Sequence, residues 1–504
     1  MENIVLGNGT LIDGTGSRPT TGDVLIRGDR IAEVGRFEKP AEARLIDCSG
    51  LTVAPGFIDA HSHSDLQVLE NREEKVRQGV TTEVVGNCGF SPYPAPDDRS
   101  LLQGFANGIF CGDDRWGWRS ARDYLKDVER SPIVNVASLV GHGSLRISVA
   151  GHRLGPLPER DVEAMEEKLS DSLSEGASGL STGLMYAPGS SAPFEELERL
   201  CRVVAKHDKI YTTHMRSYFS GLVDALDEQL DLARRTGCRL QISHLQAVGA
   251  SNWPLQARAI DKIEQARRDG IDIAFDCYPY VAGSTVLTQA LPQWVLEGGV
   301  VGMLARLTDP SQRAHIAAET KSALEWRWVD IYISAVGSAA NQEAVGQNLT
   351  ALAETRGCEP VDVMLDLLIE ERGAVNMLCF NQSEENLKQT LTHPLSMIIS
   401  DGFYVKGRPH PRLHGTFPLW LGDICRERRW LELPEAVHKI TDQPARRFGI
   451  KNRGRLLPGY FADVTVFDPK NVGSPATYDS PEQAPIGIHH VLRNGKSQFG
   501  GGAV

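Results

Sequence analysis

Through the middle of this 504-residue chain, short apolar runs of β character alternate with longer stretches of helical patterning. Parallel strands need a crossover long enough to hold a helix, so this alternation predicts a parallel α/β fold. The strand-like runs are 56–63, 81–88, 134–140, 179–183, 210–214, 240–244, 273–278, 377–380 and 397–401. A closed (β/α)₈ barrel has eight places for these nine runs, so one of them, 377–380 or 179–183, is surplus or lies at the rim. The stretch 285–374 contains helical patterns at 349–355 and 361–371 and exceeds an ordinary crossover, which marks it as an insertion.

The two ends have a different texture. Residues 1–54 hold short strands separated by turn signals such as Gly14-Thr15-Gly16 and Gly28-Asp29, and GRLLPGYFADVTVFDP from Gly454 repeats that pattern. One small β-sandwich built from 1–54 and 450–504, beside a barrel of 55–449, is the economical arrangement, because a closed barrel brings its ends together. The composition, 41% hydrophobic and 23% charged, suits a large soluble α/β protein. Its net charge of -12 is spread without a basic block, which excludes the usual nucleic-acid and anionic-membrane surfaces. No run approaches the roughly 20 apolar residues of a spanning helix, and the first residues lack a secretory pattern. Nine scattered cysteines without CxxC pairs read as reduced thiols. A cytoplasmic protein acting on a small molecule is expected.

The chemistry is concentrated at the strand ends. In GFIDAHSHSD, His61 and His63 share one face of a strand while Ser62 points away. Alone, the HxH pair fits a metal site and ordinary histidines equally. Cys88 after TTEVVGN, His214 closing IYTTH, His244 closing LQISH and Asp401 after SMIIS repeat the placement, however, and a barrel gathers all its C-terminal strand ends on one face. Five potential metal ligands and one carboxylate therefore converge despite their scatter in sequence, which favours a metal site over unrelated core histidines. Each residue also has a plain reading: Asp401 as a helix cap, Cys88 as a buried thiol and His142 of VGHGS as a packed histidine.

The motifs HSHSD, GNCGFSP, GLMYAPG, THMRSY, SHLQAVG, DCYPYVAGST, SDG, RPHPRLHGTFP and GRLLPGYFADVTVFDP, in this order, resemble the N-acyl-D-amino-acid deacylase (D-aminoacylase) family of amidohydrolases over essentially the whole chain. The resemblance implies a tight zinc on Cys88, His214 and His244, with a second, weaker metal position at His61 and His63. It makes Asp401 the catalytic acid/base. It puts Arg412, Tyr278 and Ser284 on the substrate carboxylate and Tyr186 on the scissile carbonyl. The implied partner is a small N-acyl amino acid. Two departures stand out: Gln246 replaces the usual lysine, and Leu419 replaces an arginine, both expected to make the pocket less positive. Ring opening of a cyclic amide and a catalytically silent metal-binding scaffold are the alternatives. Retention of all ligands and Asp401 speaks against the scaffold. Trp116-Gly117-Trp118 reads either as a rim loop near the acyl pocket or as packing.

Overall fold

The computed structural model describes residues 3–70, 72–112, 115–130 and 133–500. Eight parallel strands form the central sheet: β1 (Phe57–Asp59), β2 (Val80–Val85), β3 (Asn135–Gly141), β4 (Gly179–Gly183), β5 (Ile210–His214), β6 (Arg239–Ile242), β7 (Ile273–Cys277) and β8 (Ser396–Ile398). Each pairs in parallel with its successor. β2, β4, β5 and β7 are buried along their whole length, as expected of strands covered on both faces. The barrel closes between β8 and β1 by little backbone pairing: a parallel bridge Ser62–Gly402, with Asp401 N–H donating to the His61 carbonyl at 2.9 Å and His63 N–H to that of Gly402 at 3.0 Å.

The run 179–183 is β4, and 377–380 is the surplus one. It lies within Val375–Phe380, the middle strand of a separate three-stranded sheet, antiparallel to both Ala282–Val286 and Ile331–Val336. A short apolar run carries no information about strand direction, so sequence alone could not separate the two candidates. Several strands also end earlier than their patterns suggest. β1, β2, β6 and β8 stop two to four residues before the His, Cys or Asp residues counted in those runs, because the chain turns inward there.

Between β7 and β8 the chain builds helices Gly299–Thr308, Pro310–Ala323, Leu349–Arg356 and Pro360–Glu370 with the three-stranded sheet. These elements share an apolar core that includes Leu287, Ile333, Met364, Leu368 and Met377. Ser284 and Thr285 from this segment, with Met377 and Cys379, reach the cavity over the barrel mouth.

The terminal segments meet in a second eight-stranded sheet, where Thr52–Pro55 pairs antiparallel with Val464–Phe467. The expected sandwich is made by this one continuous sheet around its own core, with Leu6, Val24, Ile26, Val53, Val464 and Leu492 contributed from both ends of the chain. Trp116 and Trp118 are buried in the main core rather than set at the rim, and Trp118 donates its indole N–H to Asp127.

Candidate active site and metal centre

Three of the expected site residues leave their strands in an unusual way. Cys88, His244 and Asp401 have φ of +52°, +36° and +49°, a region that non-glycine residues rarely occupy. In each case the left-handed turn swings the side chain from the end of a strand over the barrel mouth. Gly86 makes the first of these turns possible: its φ is +83°, and a Cβ there would lie 2.2 Å from the Leu139 carbonyl oxygen. Asp276 on β7 supports the second by accepting the His244 backbone N–H at 2.7 Å.

The residues scattered between positions 61 and 401 converge into two donor groups that share Cys88. One is Cys88, His214 and His244. The other is His61, His63, Cys88 and Asp401. In each group the ligand atoms all lie within 4.8 Å of one another. Cys88 Sγ stands 3.3 Å from His61 Nε2 and 3.4 Å from His244 Nε2. Asp401 Oδ1 is 3.3 Å from His61 Nε2 and 3.2 Å from His63 Nε2.

The donor set fits a divalent metal. Among the described residues, neither ring nitrogen of buried His214, a member of the first group, has a hydrogen-bond partner. Buried polar atoms left unpaired are costly, and coordination of a cation accounts for such a group. Burial pushes His214 down to about 3 and lowers His244 and His63, so these imidazoles are neutral, as ligation requires. Burial also pushes the Cys88 thiol up, with His61 opposing. A thiolate with imidazoles is a zinc-type set. Burial would raise the Asp401 carboxyl, but the Arg412 guanidinium and then His61 override it and hold the group well below the usual carboxylate range.

Arg412 opens the helix Arg412–Leu419 and is fully buried. Its Nη1 lies 3.0 Å from Asp401 Oδ2, its Nη2 donates to the Ser284 carbonyl at 3.3 Å, and its guanidinium sits 4.7 Å from the centre of the Tyr278 ring. The Tyr278 hydroxyl donates to Gln246 Oε1 at 2.9 Å and accepts from Gln382 Nε2 at 2.9 Å. The Tyr186 hydroxyl is 2.9 Å from Thr285 Oγ1. Cys88, His63, His214, His244, Asp401, Arg412, Tyr278, Ser284, Tyr186 and Gln246 all line one cavity of about 650 Å³, counted with its open mouth. His61 lies behind them in the donor cluster.

One expectation needs correction. Leu419 does not line this cavity; it is partly buried and packs against the apolar cluster that holds Tyr278, Met397 and Ile399. His142 does not line the cavity, in keeping with its reading as a packed histidine. Its Nε2 is 2.8 Å from Glu196, which also receives Arg146 at 2.7 Å, so it belongs to a buried ion cluster. Sequence reasoning missed Asp276, Asp59 and Tyr218. The Tyr218 ring meets His214 edge-on and His244 at a tilt, each at 5.1 Å between centroids, and its hydroxyl donates to the Ser243 carbonyl. The spacing of Asp59 from His61 was a usable signal, because residues two apart in a strand share a face.

The amidohydrolase family model matches residues 44–499. The N-acyl-D-glutamate deacylase of Alcaligenes xylosoxydans xylosoxydans is 36% identical over 499 residues, 99% of this chain and 93% of its own length. The D-aminoacylase of the same organism is 35% identical, over 98% of this chain and 93% of its own length. Among solved structures, the N-acyl-D-glutamate deacylase of Bordetella bronchiseptica, complexed with zinc and a phosphonate that mimics the tetrahedral intermediate, superposes with a TM-score of 0.85. It is 34% identical and covers all of this chain, with 98% of its own length matched. A crystal structure of D-aminoacylase gives a TM-score of 0.83 at 34% identity, covering 98% of this chain and 96% of that one. Sequence, barrel and donor cluster agree in this, and the chain belongs to the amidohydrolase family, in its N-acyl-D-amino-acid deacylase (D-aminoacylase) branch.

Proposed function

We propose that this chain hydrolyses the amide bond of N-acyl-D-amino acids in a zinc-dependent reaction, giving a carboxylic acid and a D-amino acid. The observation that carries this reading is the position of Asp401: one carboxylate oxygen faces His61 and His63, and the other faces Arg412, the only lysine or arginine among the described residues lining the cavity. A proton carrier therefore stands between the metal-type donors and the one cation able to hold a carboxylate.

Cys88, His214 and His244 would hold the tight metal, and His61 and His63 the basis of a weaker second position. Zinc in such a set polarises a carbonyl and eases the deprotonation of water near neutral pH. Asp401 takes the proton from the attacking water on Oδ1 and returns it to the departing amine. Arg412, with the Tyr278 hydroxyl and Ser284 beside it, holds the α-carboxylate, a task for which a planar guanidinium is well shaped. Tyr186, three positions past the end of β4, offers its hydroxyl to the scissile carbonyl oxygen after exchanging it from Thr285.

With carbonyl and carboxylate both anchored, exchanging D for L drives the side chain into the cavity wall or pulls the carbonyl out of place. A shift of about 1 Å costs ~10²-fold in rate, so a strong D preference is expected. The experiment measures acid release from paired N-acetyl-D- and N-acetyl-L-amino acids together with bound zinc. Equal turnover of the two series, or release from a cyclic imide in preference to both, would overturn the reading.

A further inference from the structure

Behind the catalytic face lies a buried polar cluster that the mechanism above does not use. Lys75, in the turn before β2, is almost wholly enclosed, and its ammonium donates to Asp59 on β1 and, at 2.5 Å, to Ser400 Oγ just before Asp401. Glu83 on β2 stands 3.6 Å from the same ammonium. Asp59 accepts the Ser400 backbone N–H at 3.0 Å and the Ser400 hydroxyl, and the His61 N–H approaches it at 3.4 Å. Glu83 accepts the Ser62 hydroxyl at 2.6 Å, and Ser62 lies between the two histidines. Ser400 Oγ in turn accepts the N–H of Gly402 at 3.0 Å.

These bonds fall on the seam where β1 and β8 close the barrel, where the backbone supplies one bridge and two flanking hydrogen bonds. Elsewhere in the barrel a ladder of paired residues fixes neighbouring strand ends. Here two carboxylates bound to one ammonium do so, one gripping the Ser400–Gly402 segment and the other Ser62. Asp401 and the His61/His63 pair sit on the two segments so gripped.

We infer that Lys75 is a positioning residue, holding Asp401 in register with His61 and His63 across the closing seam of the barrel. Its action is exerted through Asp59 and Ser400, and it touches neither substrate nor metal. The inference rests on the reading of Asp401 as the proton carrier.

The test compares Lys75→Ala, Ser400→Ala and Asp401→Asn in the zinc-loaded protein, with bound zinc and KM measured beside kcat. Misplacing a catalytic group by about 1 Å costs ~10²-fold. Lys75→Ala is expected to lose ~10²-fold in kcat while keeping its zinc at Cys88, His214 and His244 and a KM within about threefold. Ethylammonium ions, filling the vacated site, are expected to restore at least ~10-fold of that kcat in a saturable way, a recovery that general destabilisation would not give. Ser400→Ala keeps all the charges and removes only the hydroxyl link, so it decides the matter if Lys75→Ala fails to fold; a ~10-fold loss in kcat at unchanged KM is expected. Unchanged kcat in Ser400→Ala, or a Lys75→Ala defect that follows zinc loss and ignores the amine, overturns the inference. Asp401→Asn separates the two proposals: full turnover there removes Asp401 from its role, whereas a dead Asp401→Asn beside a normal Lys75→Ala removes only the role of Lys75.

Discussion

Cys88 is the single residue common to both donor groups, so its loss acts on both. Cys88→Ala is expected to leave the first site with two imidazoles, too few for tight zinc, and metal analysis of the purified variant should find well below one zinc per chain. Asp401→Asn keeps the shape of the carboxylate and removes its basicity. It is expected to lose ~10²–10⁴-fold in turnover while its zinc content stays near that of the unaltered protein, measured on one preparation. Much of this was legible in the sequence because barrel geometry turns strand-end residues into neighbours whatever their spacing: His61, Cys88, His214, His244 and Asp401 were found in that way. Their support was not legible. Lys75 and Glu83 look like ordinary charged residues of a turn and a strand, and nothing local signals that they are buried against Asp59. Leu419 shows the opposite error, since a position within a motif need not face the pocket.

The helix Arg412–Leu419 carries at its first residue the only lysine or arginine among the described residues lining the cavity, and the other end must therefore be well fixed. Phe417 does this: it is fully buried, and its ring stacks against Phe57 of β1 at 6.2 Å between centroids. Phe417→Ala is expected to cost ~3–5 kcal/mol in urea-induced unfolding, as for other fully buried phenylalanines. A cost below about 1 kcal/mol would show that the helix is held from elsewhere. At this scale the sequence identified elements better than their ends. β4 and β5 were read with their true bounds, whereas β1, β2, β6 and β8 were drawn too long; after β2, β6 and β8 the left-handed residues Cys88, His244 and Asp401 turn the chain out of the ladder, which the residue pattern does not signal. The strand at 377–380 was real but belonged to another sheet, since pairing partners are set by tertiary contacts that a short apolar run does not encode.

For the whole molecule, a metal bound only by the folded chain adds its binding free energy to stability. Exhaustive dialysis against a chelator is therefore expected to abolish hydrolysis and to lower the melting temperature, with both restored by stoichiometric zinc. A melting temperature indifferent to zinc would mean that the donor groups are not a metal centre. The pairing of Thr52–Pro55 with Val464–Phe467 has a further consequence, for the order in which this protein can be made. The N-terminal strands leave the ribosome first, yet a partner they need follows about 400 residues later, a wait of roughly 20–80 s at ordinary elongation rates. During that interval the nascent chain presents an open strand edge beside an unclosed barrel, a state prone to pairing with other chains and suited to chaperone capture. A chain cut short before residue 464 keeps that edge unpaired, so such fragments are expected to aggregate, which pelleting of a truncated product would show.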